Sequence, residues 1–136
     1  MKQKSGKCPE YLAFVRSLPC LVCYELFWQQ LLAQDEERQA AMLELMTELS
    51  PGTEVLGRQL TPTEAAHAGK STSVRGLGQK YPDREAIPLC RYHHREAKDS
   101  HHAGTAVFWA KHPQLDRDGL LKMLWRVYGN NPSPEA

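Results

Sequence analysis

Between residues 9 and 18 apolar side chains recur at Leu12, Val15 and Leu18, with Tyr11 and Phe14 beside them. That is the spacing of a helix burying one face, and Pro9 and Pro19 suit its first turn and its end. Residues 24–49 run on in Leu, Gln, Glu, Ala and Met without Gly or Pro, which predicts helix throughout. Tyr24, Phe27, Trp28, Leu31 and Leu32 make one apolar stripe; Met42, Leu43, Leu45, Met46 and Leu49 make a second. The polar stretch 34–39 between them leaves one long helix and a hairpin of two both open. Short extended segments are predicted at 55–56 and 64–67. Glycines 69, 76 and 78 and Pro82 then mark a loop. Residues 105–111, carrying Val107, Phe108 and Trp109 and ended by Pro113, predict a further helix. Asp116 is a suitable N-cap for another over 117–128, with an apolar face of Leu120, Leu121, Leu124, Trp125 and Tyr128 and Gly129 as its stop. Residues 130–136 read as a flexible tail.

At 136 residues the chain suits a single domain, 1–136, with a modest core. No apolar run of about 18 residues is present and no hydrophobic signal core follows the basic start, so a soluble cytoplasmic protein with no membrane partner is expected. The net charge of +1 hides segregation: residues 1–23 carry +3, 67–98 carry +4, and 24–54 carry −6. Phosphate binding is therefore plausible locally, and the acidic helical stretch 24–50 reads as an insert packed on the core. A surface for self-association or for a protein partner, through 24–49, is its sharper reading.

The stretch 87–94 (Ile-Pro-Leu-Cys-Arg-Tyr-His-His) changes this picture. With His101 and His102 it gathers one cysteine and four of the six histidines into sixteen residues. Pro88 restricts the approach, a short helix follows, and Cys90 and His93 share one face of its first turn, a spacing that can hold one metal ion. Cys20-Leu21-Val22-Cys23 supplies the other half. Cys20, Cys23, Cys90 and His93 thus form a Cys3His set of the kind that suits structural Zn²⁺. The alternatives are buried free thiols or a redox pair, and the latter needs a βαβ context that the pattern does not show. Cys8 is left over and reads as incidental. His94 falls about 100° round the helix from His93, free for another role, and His101 returns near the same face. His67 is an available base before a loop whose Lys70, Arg75 and Lys80 suit phosphate oxygens. Gly69-Lys70-Ser71 lacks the upstream glycine of a nucleotide loop.

The pattern P-C-L-V-C, E-A-A-H, P-L-C-R-Y-H-H and D-S-H-H resembles the HNH endonucleases, most closely a subgroup common in phages and prophages and related to RecA-dependent phage nucleases. The resemblance covers about residues 9–128 apart from the helical insert. It implies an α+β fold with a small ββα-metal (treble-clef) core, a structural zinc and C-terminal packing helices. It further implies metal-dependent hydrolysis of DNA phosphodiester bonds, with His67 as general base on the second strand of the hairpin and His94 as ligand of a catalytic Mg²⁺ or Mn²⁺. The middle position of the motif falls within Asp83-Arg84-Glu85, with Asp83 favoured. Lys70, Arg75, Lys80, Arg91 and Arg95 are expected to hold backbone phosphates. Where the family often has a metal ligand before the catalytic histidine, this chain has Ala66. The ion would then draw on Asp83, His101 or His102, a second zinc would replace it, or the chain would be a silent zinc module that binds nucleic acid or protein.

Overall fold

The computed structural model describes residues 8–49, 59, 61–67 and 83–129. The loop bearing Lys70, Arg75 and Lys80, the extended segment expected at 55–56 and the tail 130–136 lie outside them.

The chain is α+β: among the described residues, helices surround one two-stranded antiparallel sheet. Helix α1 is Pro9–Arg16, with Pro at its first position, Glu10 in its first turn and Arg16 in its last, each the charge that the helix dipole favours there. The 24–49 stretch resolves into two helices, α2 (Glu25–Leu32) and α3 (Glu36–Leu49). Asp35 decides for the hairpin: its carboxylate accepts the Arg38 amide at 2.8 Å and starts a new helix. Gln39 then ties the two together by donating to the Leu31 carbonyl at 3.2 Å.

Strands β1 (Thr63–His67) and β2 (Ala86–Cys90) pair from Thr63↔Cys90 to His67↔Ala86. All five residues of β2 are buried. Pro88 is tolerated in it because its carbonyl turns away from β1 to accept the Leu21 amide at 2.9 Å, so its missing N–H costs the ladder nothing. Among the described residues His67 closes the first of the two strands, and the extended segment expected before it, at 55–56, lies outside them.

Helices α4 (Thr105–Ala110) and α5 (Arg117–Gly129) are the last of the described elements. Helix α5 runs through Gly129 rather than stopping before it. It buries Leu120, Leu121, Met123, Leu124 and Val127 and leaves Trp125 at the rim. Tyr11, Leu18, Trp28, Leu43, Ile87 and Phe108, from elements throughout the chain, meet in one core. No described helix is long and apolar enough to cross a membrane.

Candidate metal centre and the flanking carboxylate–histidine pairs

Two turns converge on the end of β2. Cys20 and Cys23 come from the turn after α1, and Cys90 closes β2 and leads into a single wide turn of π-type helix, Tyr92–Glu96, that carries His93. The first turn is fixed by buried polar groups. Gln59 accepts the Cys20 amide at 3.0 Å while donating to the Thr61 carbonyl and Thr63 hydroxyl, both at 2.8 Å. Thr63 donates on to the Leu18 carbonyl at 2.7 Å, and the Trp28 indole reaches the Pro19 carbonyl at 3.2 Å. The second turn is closed from downstream, where the His101 and His102 amides donate to the His93 and His94 carbonyls at 2.9 and 2.8 Å.

The ligand atoms of Cys20, Cys23, Cys90 and His93 all lie within 4.8 Å of one another. Tetrahedral zinc with Zn–S of about 2.3 Å and Zn–N of about 2.0–2.1 Å requires ligand separations of about 3.8 Å between sulfurs and about 3.6 Å between sulfur and nitrogen. Cys23 Sγ lies 3.7 Å from Cys90 Sγ, and His93 Nδ1 lies 3.8, 3.6 and 3.3 Å from the sulfurs of Cys20, Cys23 and Cys90. The donors fit a structural metal such as zinc. Hydrogen bonds to Cys20 and Cys90 push the Cys23 thiol up, whereas those from Cys20 and Cys23 pull Cys90 down. Burial pushes His93 down, but its contacts with Cys20 and Cys90 outweigh that and hold it at about 9.

Two carboxylate–histidine pairs lie along β1, one next to this group and one at the far end of the strand. At the end of β1, His67 Nε2 lies 2.9 Å from Asp83 Oδ1, and the other oxygen of Asp83 accepts the Cys8 amide at 2.7 Å. A carboxylate only accepts, so Nε2 carries the proton. The neutral His67 ring then offers an unprotonated Nδ1. Three residues earlier on β1, Glu64 Oε1 lies 2.7 Å from His94 Nδ1, which by the same logic leaves His94 Nε2 as the lone-pair nitrogen. Arg95 grips Glu64 with Nε at 3.1 Å and Nη2 at 2.8 Å, and Arg91 stands 3.6 Å away. The Arg95 fork, opposed by partial burial and reinforced by His94, holds the Glu64 carboxyl at about 2.

The expected site residues are therefore divided. His67 and Asp83 meet, but His94 pairs with Glu64. His101 is buried edge-on against Phe108 at 5.2 Å and Trp109 at 6.3 Å, and His102 is exposed. Among the described residues only the Cys3His group brings three or more ligand-type side chains within metal-binding distance. Arg91 and Arg95 are both turned to Glu64. Ala66 is wholly buried. Glu64 and Gln59 were not anticipated. The one sequence signal for Glu64 was an acid three residues before His67 in a segment read as extended. No family model, curated protein or solved structure matches this chain.

Proposed function

We propose that this chain is a zinc-stapled HNH-type endonuclease with a ββα-metal (treble-clef) core, hydrolysing DNA phosphodiester bonds. The observation that carries the reading is the His67–Asp83 pair, held at the end of the β1–β2 ladder opposite to the Cys3His group. An imidazole fixed at Nε2 by a carboxylate and free at Nδ1 is the arrangement of a general base.

In this reading the structural zinc is held by Cys20, Cys23, Cys90 and His93 and locks the end of β2 to the first turn. His67 Nδ1 takes a proton from water, the resulting hydroxide attacks phosphorus, the P–O bond to the sugar oxygen breaks with its electron pair going to that oxygen, and the departing oxygen takes a proton from solvent water. Asp83 keeps the imidazole in the required tautomer and stabilises the imidazolium that forms. His94 Nε2 would hold a catalytic divalent ion, Mg²⁺ or Mn²⁺. Glu64, whose acceptor positions are engaged by His94 and Arg95, orients His94 rather than ligating. When bound there, such an ion would neutralise the charge that develops on phosphorus and on the leaving oxygen. Lys70, Arg75, Lys80 and the outward faces of Arg91 and Arg95 are assigned to backbone phosphates.

One observation favours the rival reading of a silent zinc module: the position occupied by Ala66 supplies no ligand. Plasmid cleavage with Mg²⁺, Mn²⁺ or neither, for the wild type, His67→Ala and His94→Ala, separates the two. Ion-dependent nicking lost in both variants while zinc content and DNA affinity persist supports the nuclease. Zinc-loaded wild type that binds DNA without cutting under any ion supports the module.

A further inference from the structure

We infer that the apolar groove between α2 and α3 is a docking site for a basic amphipathic helix of a partner protein. The groove is floored by Phe27 and Leu31 from α2 and by Ala41, Met42 and Leu45 from α3, and Arg38, the one charged side chain in its lining, stands at its side. Two of its apolar side chains stand in water: Met42 is 38% exposed and Leu45 46%. The inner face of α3 is already satisfied, with Leu43 fully buried and Gln39 bonded to α2 and to Arg126 of α5. The outer apolar stripe is thus surplus to the fold, and contiguous exposed stripes of this kind mark interaction surfaces.

The charge beside the groove selects the occupant. Residues 25–49 carry six acids against Arg38 alone. Glu25 and Glu36 are committed to His112 at 3.1 Å and Arg126 at 3.7 Å, and Arg38 stands 3.9 Å from Asp35. Glu37, Glu44 and Glu48 have no ion-pair partner among the described residues. Spaced at i, i+7 and i+11, they form an exposed acidic ladder along the flank of α3 next to Ala41 and Leu45. A second copy of this chain would bring the same ladder against itself, and a phosphate backbone or anionic lipid would be repelled by it. An apolar stripe flanked by Lys or Arg satisfies both features, and a trough between two helices accepts a third helix by ridge-and-groove packing. The 14 residues of α3 span about 21 Å, so the matching segment is about four helical turns long.

The test uses the full chain and two synthetic helical peptides of that length with the same leucine stripe, one with lysine and one with glutamate elsewhere. Calorimetry and methyl NMR are expected to show binding of the lysine peptide alone, with shifts at Leu31, Met42 and Leu45. Replacing Glu37, Glu44 and Glu48 by Gln should weaken it about tenfold and flatten its salt dependence. Met42→Ser with Leu45→Ser, both exposed and so compatible with folding, should weaken it by at least as much. Equal affinity for the two peptides, shifts confined to another surface, or no binding of the lysine peptide would overturn the assignment. So would a concentration-dependent dimer that protects these methyls, since it would give the face to a second copy.

Discussion

Glu64 and His94 lie thirty positions apart in the chain, yet Glu64 Oε1 sits 2.7 Å from His94 Nδ1. The register Glu64↔Leu89 and the turn that follows β2 create this contact. Long-range ¹H–¹⁵N spectra of neutral His94 should therefore show Nδ1 protonated and Nε2 bare. Glu64→Ala should mix the two tautomers and weaken binding of Mn²⁺ by about 10–100-fold, the usual cost of losing such a supporting carboxylate. A wild-type His94 protonated at Nε2 would refute the assignment of that nitrogen as a ligand.

The same carboxylate has a pH signature. Its folded value of about 2 lies below the ordinary 4.5, so the ionised form is favoured by folding. The stability it contributes is fully present above pH 4.5 and is lost as pH falls from there towards 2. In the zinc-loaded protein the Glu64 carboxyl carbon should still report an ionised group at pH 4.5, where an ordinary glutamate is half protonated. A midpoint at the ordinary value would show that the Arg95 fork is not formed in solution.

Much of the metal group was legible because Cys-x2-Cys and Cys-x2-His are local spacings, and four donors of matching chemistry imply their own convergence. The hairpin of α2 and α3 was legible only as one of two options, since the deciding contacts, Asp35 to Arg38 and Gln39 to Leu31, are side-chain choices that periodicity does not report. Glu64 escaped notice because its partners depend on strand register. His101 illustrates the converse. Four histidines close in sequence look like ligands, but His101 is buried with its ring edge-on to Phe108 and Trp109, surroundings that composition does not report. Trp125 was assigned to the apolar face of α5, where Met123 and Val127 are buried instead.

Gln59 offers a test of the scaffold independent of any chemistry. It is 1% exposed and bonds Cys20, Thr61 and Thr63 at once. Gln59→Leu leaves the buried Cys20 amide without its acceptor, which should cost about 3 kcal/mol in urea unfolding of the metal-loaded protein, given about 1–3 kcal/mol per orphaned group. A change within about 0.5 kcal/mol, the size usual for surface substitutions, would mean that the Gln59 contacts do not form.

Elemental analysis should find one zinc per chain, and cobalt in its place should give thiolate charge-transfer absorption that falls in Cys90→Ser. Chelation should abolish cooperative unfolding, since structural zinc sites supply about 10–16 kcal/mol of apparent binding energy that exists only in the folded state. A metal-free chain with unchanged near-ultraviolet circular dichroism would show that the four donors are a packed thiol cluster and not a metal centre.

Asp83→Asn is the sharpest probe of the proposed base. Asp83 accepts from two groups, the Cys8 amide at 2.7 Å and His67 Nε2 at 2.9 Å. An asparagine has one carbonyl oxygen and one NH₂ in the same place. The Cys8 amide can only donate, so it takes the oxygen, and the NH₂ is left facing Nε2. His67 must then accept at Nε2 and carry its proton on Nδ1, the nitrogen that would otherwise remove a proton from water. Cleavage should fall by about 10²–10⁴-fold with zinc content and unfolding midpoint nearly unchanged, as expected for a wrong-tautomer defect. Cleavage by Asp83→Asn at the wild-type rate would remove His67 from the role of base, because the variant disarms Nδ1 without displacing the ring.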